Sequence, residues 1–345
     1  MMIDFDIAEE KINKYLDSEK KTTIMFNNNL YMLKYPDPVR SEKNKKNLSY
    51  KNNQFSEYIG CKIFKSCGFN TQDTLLGYFT DTNNKKKIVV ACKDFTQNGD
   101  VLYEFAKIAN QAQVDGTRRN ISIEDIYSII SEMDMIKNKN EIISCFWDMF
   151  AIDALIGNRD RHFGNWGLIE SISGDMSFAP IYDCGSSLSA LLDDDNMERD
   201  LNDPIKFKQN NFNVTSCYHM NNKRIFYHEI FKEPPEDLKE AIKRIVPKIN
   251  MDKIRNIIDA TPEMPDIRKE YLKKAVEIRY EQILAPALNR ILKQERTQIQ
   301  AKTPQSRPDD EIEGDFFMEN LKKIYKTCPS KRRTRLLQTK PATQY

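Results

Sequence analysis

Residues 142–156 carry apolar side chains on nearly every side of a helix: Ile142, Ile143, Phe146, Trp147, Met149, Phe150, Ile152, Leu155 and Ile156. A helix without a polar face must be surrounded by other elements, so the fold needs a core built around it. The run stops at Gly157, a residue suited to ending a helix. The next residues, Gly-Asn-Arg-Asp-Arg-His-Phe-Gly-Asn-Trp over 157–166, are as polar as the helix is apolar. Loops held by a rigid scaffold are where sites are built. A length of 345 residues exceeds what one compact core usually holds.

The flanking segments give the fold class. Runs 22–26 and 30–35 are β-prone and joined by Asn27-Asn28-Asn29, a hairpin pattern. Residues 55–67 place Phe55, Ile59, Ile63 and Phe64 at helical spacing, and 75–79 with 88–91 read as a second hairpin. Strand pair, helix and strand pair predict a small β-rich lobe over 1–95. Helical periodicities at 235–249, 251–260 and 266–299 predict a larger helical lobe over 96–300. Residues 301–308, polar with two prolines, read as a linker into a tail over 301–345. The expectation is an α+β, two-lobed chain with a C-terminal tail.

Several function classes drop out early. The seven cysteines contain no Cys-x-x-Cys pair and the three histidines are dispersed, so neither a disulfide framework nor a zinc centre is expected. The thiols read as reduced, mostly buried, and in a reducing compartment. No stretch reaches the ~18–20 apolar residues of a membrane helix, and the N-terminus lacks the pattern of a cleaved signal. The expected location is the cytoplasm, with no membrane partner. The tail holds ten Lys/Arg against six Asp/Glu, so at a net charge of +2 the body is near −2. Such a body has no electrostatic reason to bind nucleic acid.

The polar loop carries chemistry. Asp160 and Asn165 stand five apart, the separation of base aspartate and metal-binding asparagine in a protein-kinase catalytic loop. Asp183, in Ala-Pro-Ile-Tyr-Asp-Cys-Gly over 179–185, follows Asn165 by eighteen residues and supplies a second carboxylate for the metal that bridges nucleotide phosphates. Either Asp alone reads as a capping or turn residue. The two motifs in order, after a buried helix, read as catalysis.

The pattern Asn-x-Asp-Arg-His-x-x-Asn followed by Ala-Pro-x-Tyr-Asp resembles the catalytic and metal motifs of the HipA-like serine/threonine kinases. Residues 29–34, 55–58, 89–95, 146–150 and 257–262 resemble them too. The match reaches residue 292 and favours the short members of the group, since the first hairpin leaves no room for the extra N-terminal subdomain of the larger toxins. The resemblance implies ATP and Mg²⁺ as cofactors and a protein as substrate. It makes Asp160 the base, gives His162 the task of orienting the catalytic loop, and makes Asn165 and Asp183 the metal ligands. Lys34 is implied to hold the ATP phosphates, Glu57 to pair with Lys34, and Cys92, Lys93, Asp94 and Phe95 to form the hinge at the adenine.

One stretch departs from the pattern. The segment matching the phosphate loop, Leu-Asp-Ser-Glu-Lys-Lys over 16–21, has no glycine, although backbone amides there must approach phosphate closely. Lys21 is its expected phosphate contact, and Ser18 a candidate for autophosphorylation. The missing glycines keep a second reading open, a catalytically weak kinase fold that acts as a binding module. A lipid kinase is a third, because phosphoinositide kinases share a similar loop. The cluster Lys-Arg-Arg-Thr-Arg at 331–335 reads as a solubilising end, or as a contact for an acidic partner or import receptor. The latter fits an effector exported without a signal peptide and reaching a host nucleus. Asp193-Asp194-Asp195 reads as a solvated loop.

Overall fold

The structure is a computed structural model that describes residues 2–12, 21–36, 52–81, 84–96, 99–112, 114 and 121–302. The chain divides into two compact units, Met1–Lys293 and Gln294–Tyr345, and every element below lies in the first except the end of the last helix. The phosphate-loop residues 16–20 with Ser18, and the tail beyond 302, lie outside the described residues.

The N-terminal part is a six-stranded sheet. Its strands are β1 (Ile3–Asp4), β2 (Glu9–Lys11), β3 (Lys21–Phe26), β4 (Asn29–Lys34), β5 (Thr74–Thr80) and β6 (Lys86–Lys93), in the order β1-β5-β6-β4-β3-β2. The first hairpin forms as expected. Asn27 and Asn28 adopt φ of 47° and 58°, which asparagine tolerates, and β3 pairs with β4 from Phe26 opposite Asn29 to Lys21 opposite Lys34. Side chains alternate across a strand. Leu33 therefore enters a small apolar cluster with Phe5, Ile24 and Val89, while Lys34 projects to the other face. Helix α1 (Asn53–Ser66) sends Phe55, Ile59 and Ile63 into the main core together with Val90 and Cys92 of β6.

The larger part is mainly helical. It begins with β7 (Val101–Glu104), α2 (Phe105–Gln111), β8 (Ile121–Ser122), α3 (Ile123–Glu132) and α4 (Lys139–Ile156). The apolar run is α4, and Phe146, Trp147, Met149, Ile152, Leu155 and Ile156 are all buried at the centre of the core. Then follow β9 (Gly167–Glu170), β10 (Met176–Phe178), α5 (Asp194–Leu201), α6 (Pro204–Phe212), β11 (Thr215–Met220) and β12 (Lys223–Phe226). The chain continues through α7 (Tyr227–Ile230), α8 (Glu236–Ile245), α9 (Met251–Asp259), α10 (Asp266–Arg279) and α11 (Ala285–Lys302).

Three features differ from the sequence reading. The region after residue 95 contains two small sheets, β10-β9-β7 and β12-β11-β8, each joining two consecutive strands to a third that is distant in sequence, β7 on β9 and β8 on β11. Residues 266–299 are not one uninterrupted α-helix. A π-turn at Tyr280–Leu284 divides α10 from α11, just before Pro286, which has no N–H to give. Asp193 and Asp194 are structural rather than merely solvated. Asp193 caps α5 by accepting from the Asn196 N–H, and Asp194 pairs at 2.7 Å with buried Arg268.

Candidate active site

The polar loop is held from below by a buried ion pair. Asp153 is an acid in the last turn of α4, 1% exposed, and such a charge is tolerated only with a partner. Arg161 supplies it, with Nε 2.9 Å from Oδ2 and Nη2 3.1 Å from Oδ1. The same guanidinium donates to the carbonyls of Asn165, at 2.8 Å, and Tyr182, and approaches the Cys184 sulfur at 3.4 Å. One side chain thus ties the helix to both sequence motifs. Asn158 donates to Asp153 Oδ1 at 2.9 Å and accepts the Asp160 N–H at 3.1 Å, which fixes the backbone at Asp160. Tyr227 donates to the Asn158 carbonyl at 2.6 Å, and Tyr218 donates to that of Arg161. The far end is pinned by Trp166, stacked on Phe105 with ring centroids 4.1 Å apart.

Gly157 makes the loop's exit possible. Its φ of 65° is left-handed, and a Cβ there would lie 3.2 Å from the Arg279 guanidinium carbon. From this exit the chain reaches Asp160, whose side chain is exposed at the cavity and accepts from Ser186 Oγ at 3.5 Å. Desolvation on its inner side raises the Asp160 carboxyl above the ordinary value. The charge of Asp183 adds to this, while His162, Ser186 and Arg161 oppose it. Asn165 is buried, and its side-chain amide N–H donates to the Asp160 carbonyl at 2.7 Å. His162 is exposed, with Nδ1 accepting the Gly164 N–H at 3.0 Å, a contact that closes the turn between them.

A second cluster joins the sheet to this loop. Lys34 Nζ lies 3.1 Å from Glu57 Oε2 and 3.0 Å from Asp183 Oδ1. Glu57 is wholly buried, and its other oxygen accepts the Cys184 N–H at 3.1 Å. This approach of α1 to the Asp183–Cys184 segment needs a glycine at position 60, where a Cβ would stand 2.6 Å from Cys184 Cβ. Burial alone would depress the Lys34 ammonium, but the charges of Asp183 and Glu57 overcome this and hold it well above its usual value. Asp183 has a left-handed φ of 54°, a conformation that Asp reaches more easily than most residues, and its side chain is 35% exposed. Burial raises its carboxyl. The charge and hydrogen bond of Lys34, then Arg161 and Lys21, outweigh that and bring it below the ordinary range.

The donor set suits a hard divalent cation. Asp183 has one oxygen on Lys34 and a second in reserve, and Asn165 uses its amide N–H and leaves its amide oxygen. Magnesium takes one or two such oxygens together with phosphate and water. Among the described residues no group of three or more His, Cys, Asp or Glu could form an all-protein metal cage.

Lys34, Glu57, Asp160 and Asp183 line one cavity of about 840 Å³. The predicted hinge residues do not line it. Cys92 lies within β6, between β4 and β5, and burial pushes its thiol up. The Lys93 N–H donates to the Asp73 carbonyl and the Asp94 N–H to the Leu30 carbonyl, each at 2.9 Å, while the Lys93 carbonyl accepts from Gln72 at 3.0 Å. The Asp94 carboxylate accepts from the Thr96 N–H and hydroxyl. Phe95 meets Tyr182, the neighbour of Asp183, at 5.9 Å between ring centroids. Lys21, half-buried at the start of β3, is near enough to lower Asp183. Sequence reasoning missed Asp153, Asn158 and Arg161, although a lone acid in an otherwise apolar helix end was their signal.

A β-rich N-terminal part carrying a Lys–Glu pair, joined to a helical part carrying an Asp–Asn loop and a second Asp, defines the protein-kinase class. The model of the HipA-like C-terminal domain matches residues 12–252, and the chain belongs to this family of kinases. It is 35% identical over 339 residues to the serine/threonine-protein kinase CtkA of Helicobacter pylori strain J99, covering 96% of this chain and 99% of that protein. The crystal structure of a Helicobacter pylori proinflammatory kinase CtkA is similar with a TM-score of 0.77 and 34% identity, covering 85% of this chain and 99% of that one.

Proposed function

We propose that the chain transfers the γ-phosphoryl group of Mg·ATP to serine or threonine hydroxyls of a protein. The observation that carries this reading is Lys34 held between Glu57 and Asp183, a cation suited to phosphate beside a carboxylate suited to metal. Asp160 is the base that takes the hydroxyl proton as the acceptor oxygen bonds to phosphorus and the bond from phosphorus to the bridging oxygen of ADP breaks. A raised carboxyl pKa makes it a better proton acceptor. Asn165 and Asp183 would hold the magnesium, which neutralises charge on the transferring group. Lys34 orients the phosphates, and Glu57 keeps Lys34 extended. His162 orients the loop through its turn with Gly164. Lys21 is a phosphate contact. The hinge reading falls on the backbone after Asp94, because the Lys93 and Asp94 amides and the Lys93 carbonyl already have partners.

The same reading extends to autophosphorylation at Ser18, a toxin- or effector-like role, and a tail that contacts an acidic partner or import receptor. Among the described residues no helix is long and apolar enough to cross a membrane. The test is incubation of the full chain with ATP and Mg²⁺ in bacterial and in eukaryotic lysates, followed by phosphosite mass spectrometry. New phosphoserine or phosphothreonine on a restricted set of proteins is the expected result. Phosphate appearing only on inositol lipids, or nowhere, would contradict it.

A further inference from the structure

Among the described residues three arginines are buried, Arg161, Arg268 and Arg279. Arg161 has Asp153 and Arg268 has Asp194. Arg279, 2% exposed, has no carboxylate. Its Nε donates to the Leu155 carbonyl at 2.6 Å and its Nη1 to Asn211 Oδ1 at 3.2 Å. Its Nη2 is buried without a hydrogen-bond partner.

A buried cation without a counter-ion is costly, and burial brings this guanidinium down to about 10, so it is still charged at neutral pH. The C-terminal end of α4 offsets part of that cost through the Leu155 carbonyl. The arrangement is otherwise built and fixed. Asn211 is oriented by donating to the Phe207 carbonyl at 3.0 Å and to the Tyr271 hydroxyl at 3.2 Å, so its oxygen faces Arg279.

Arg279 lines the same cavity as Asp160 and Asp183, and so does the exposed Arg159, close enough to lower Arg279 further. Among the described residues no carboxylate forms an ion pair with Arg159 either. The acids on the cavity wall are engaged elsewhere: Glu57 and Asp183 with Lys34, Asp200 with Lys206 and Asn210, and Asp160 with Ser186.

We propose that Arg159 and Arg279 form an anion-binding site in the catalytic cavity that takes a phosphate or carboxylate on the protein substrate, carried on a side chain near the acceptor hydroxyl. The proposal rests on the protein-kinase reading for its ligand, but the site exists in the absence of any reaction. It makes the kinase selective for acidic or already phosphorylated segments. Each guanidinium offers donors in a planar fork that matches such an anion.

The test uses the full chain, with Arg159→Gln at the exposed position and Arg279→Lys at the buried one. The first reading is calorimetric titration with O-phosphoserine in the absence of nucleotide. Wild type should bind, and each variant about tenfold more weakly. The second is kcat/KM on a peptide series with phosphoserine, Asp or Ala placed in turn at each position flanking one acceptor serine. Wild type should favour an anion at one position, and the ratio of anionic to alanine peptide should fall about tenfold in both variants. No phosphoserine binding by wild type, or a preference that survives both substitutions, would overturn the proposal. So would an equal loss of Mg·ATP affinity, which would put the guanidiniums in the nucleotide site. If wild type phosphorylated no peptide, the kinase reading would fail, and the titration would still decide the anion site.

Discussion

Lys34 and Glu57 meet 3.1 Å apart across the interface of β4 and α1, with the carboxylate wholly buried and the ammonium nearly so. Each offsets the other's cost of burial, and Lys34 also lies 3.0 Å from Asp183, so the proposed function has Lys34 and Glu57 act as one unit. Lys34→Ala and Glu57→Ala should each lower kcat/KM, and the double variant should be little worse than either one. A double-mutant cycle measures this, and additive losses would show that the pair does not work together.

If Asp183 is the metal ligand of the proposed function, Asp183→Ala should weaken Mg·ATP binding about tenfold or more as well as slowing turnover, since a partner of Lys34 disappears with it. Calorimetry with Mg·ATP reads the first effect. Affinity equal to wild type would remove Asp183 from the metal site.

Asp153→Ala tests the support beneath the loop. It would strand Arg161 in the core without its acid and should destabilise the protein by roughly 3–5 kcal/mol, the range for half-broken buried ion pairs. Denaturant unfolding measures the change. A loss under about 1 kcal/mol would place the pair in the class of exposed bridges.

The pH dependence follows from the direction of two shifts. A base must be unprotonated, and the Asp160 carboxyl lies above the ordinary value, so kcat/KM should fall with acid at a pH above the usual aspartate pKa of about 3.9. Asp183 is shifted below that value and stays ionised throughout the fall. An acid limb at or below about 3.9 would contradict the assignment of Asp160 as the base.

Much of this arrangement was legible because it is local. The all-round apolar pattern of 142–156 announced a central helix, and the five-residue step from Asp160 to Asn165 announced the loop after it. Lys34 and Glu57 were legible only through the family resemblance. A strand lysine and a helix glutamate are ordinary until the fold brings them 3.1 Å apart. What was missed is non-local. The strand Val101–Glu104 finds its partner at Gly167–Glu170, and four short residues carry too little periodicity to reveal that. Arg161 looked like one more basic residue in a polar loop, and its role depends on Asp153, Asn165 and Tyr182 converging on one guanidinium. Asp194 looked solvated because its partner, Arg268, is brought to it by the packing of α5 and α10, whereas the Asp193 cap on the Asn196 N–H is local and was open to a sequence reading.

In the proposed function Asp160 is the base of a phosphoryl transfer whose nucleotide site is held by other residues. Phosphate transfer and Mg·ATP affinity should therefore be measured side by side for the full chain and for Asp160→Asn, an exchange that keeps the side chain's shape. Transfer by Asp160→Asn should be slower by ~10²–10⁴, with Mg·ATP binding close to wild type. Undiminished transfer by Asp160→Asn would contradict it.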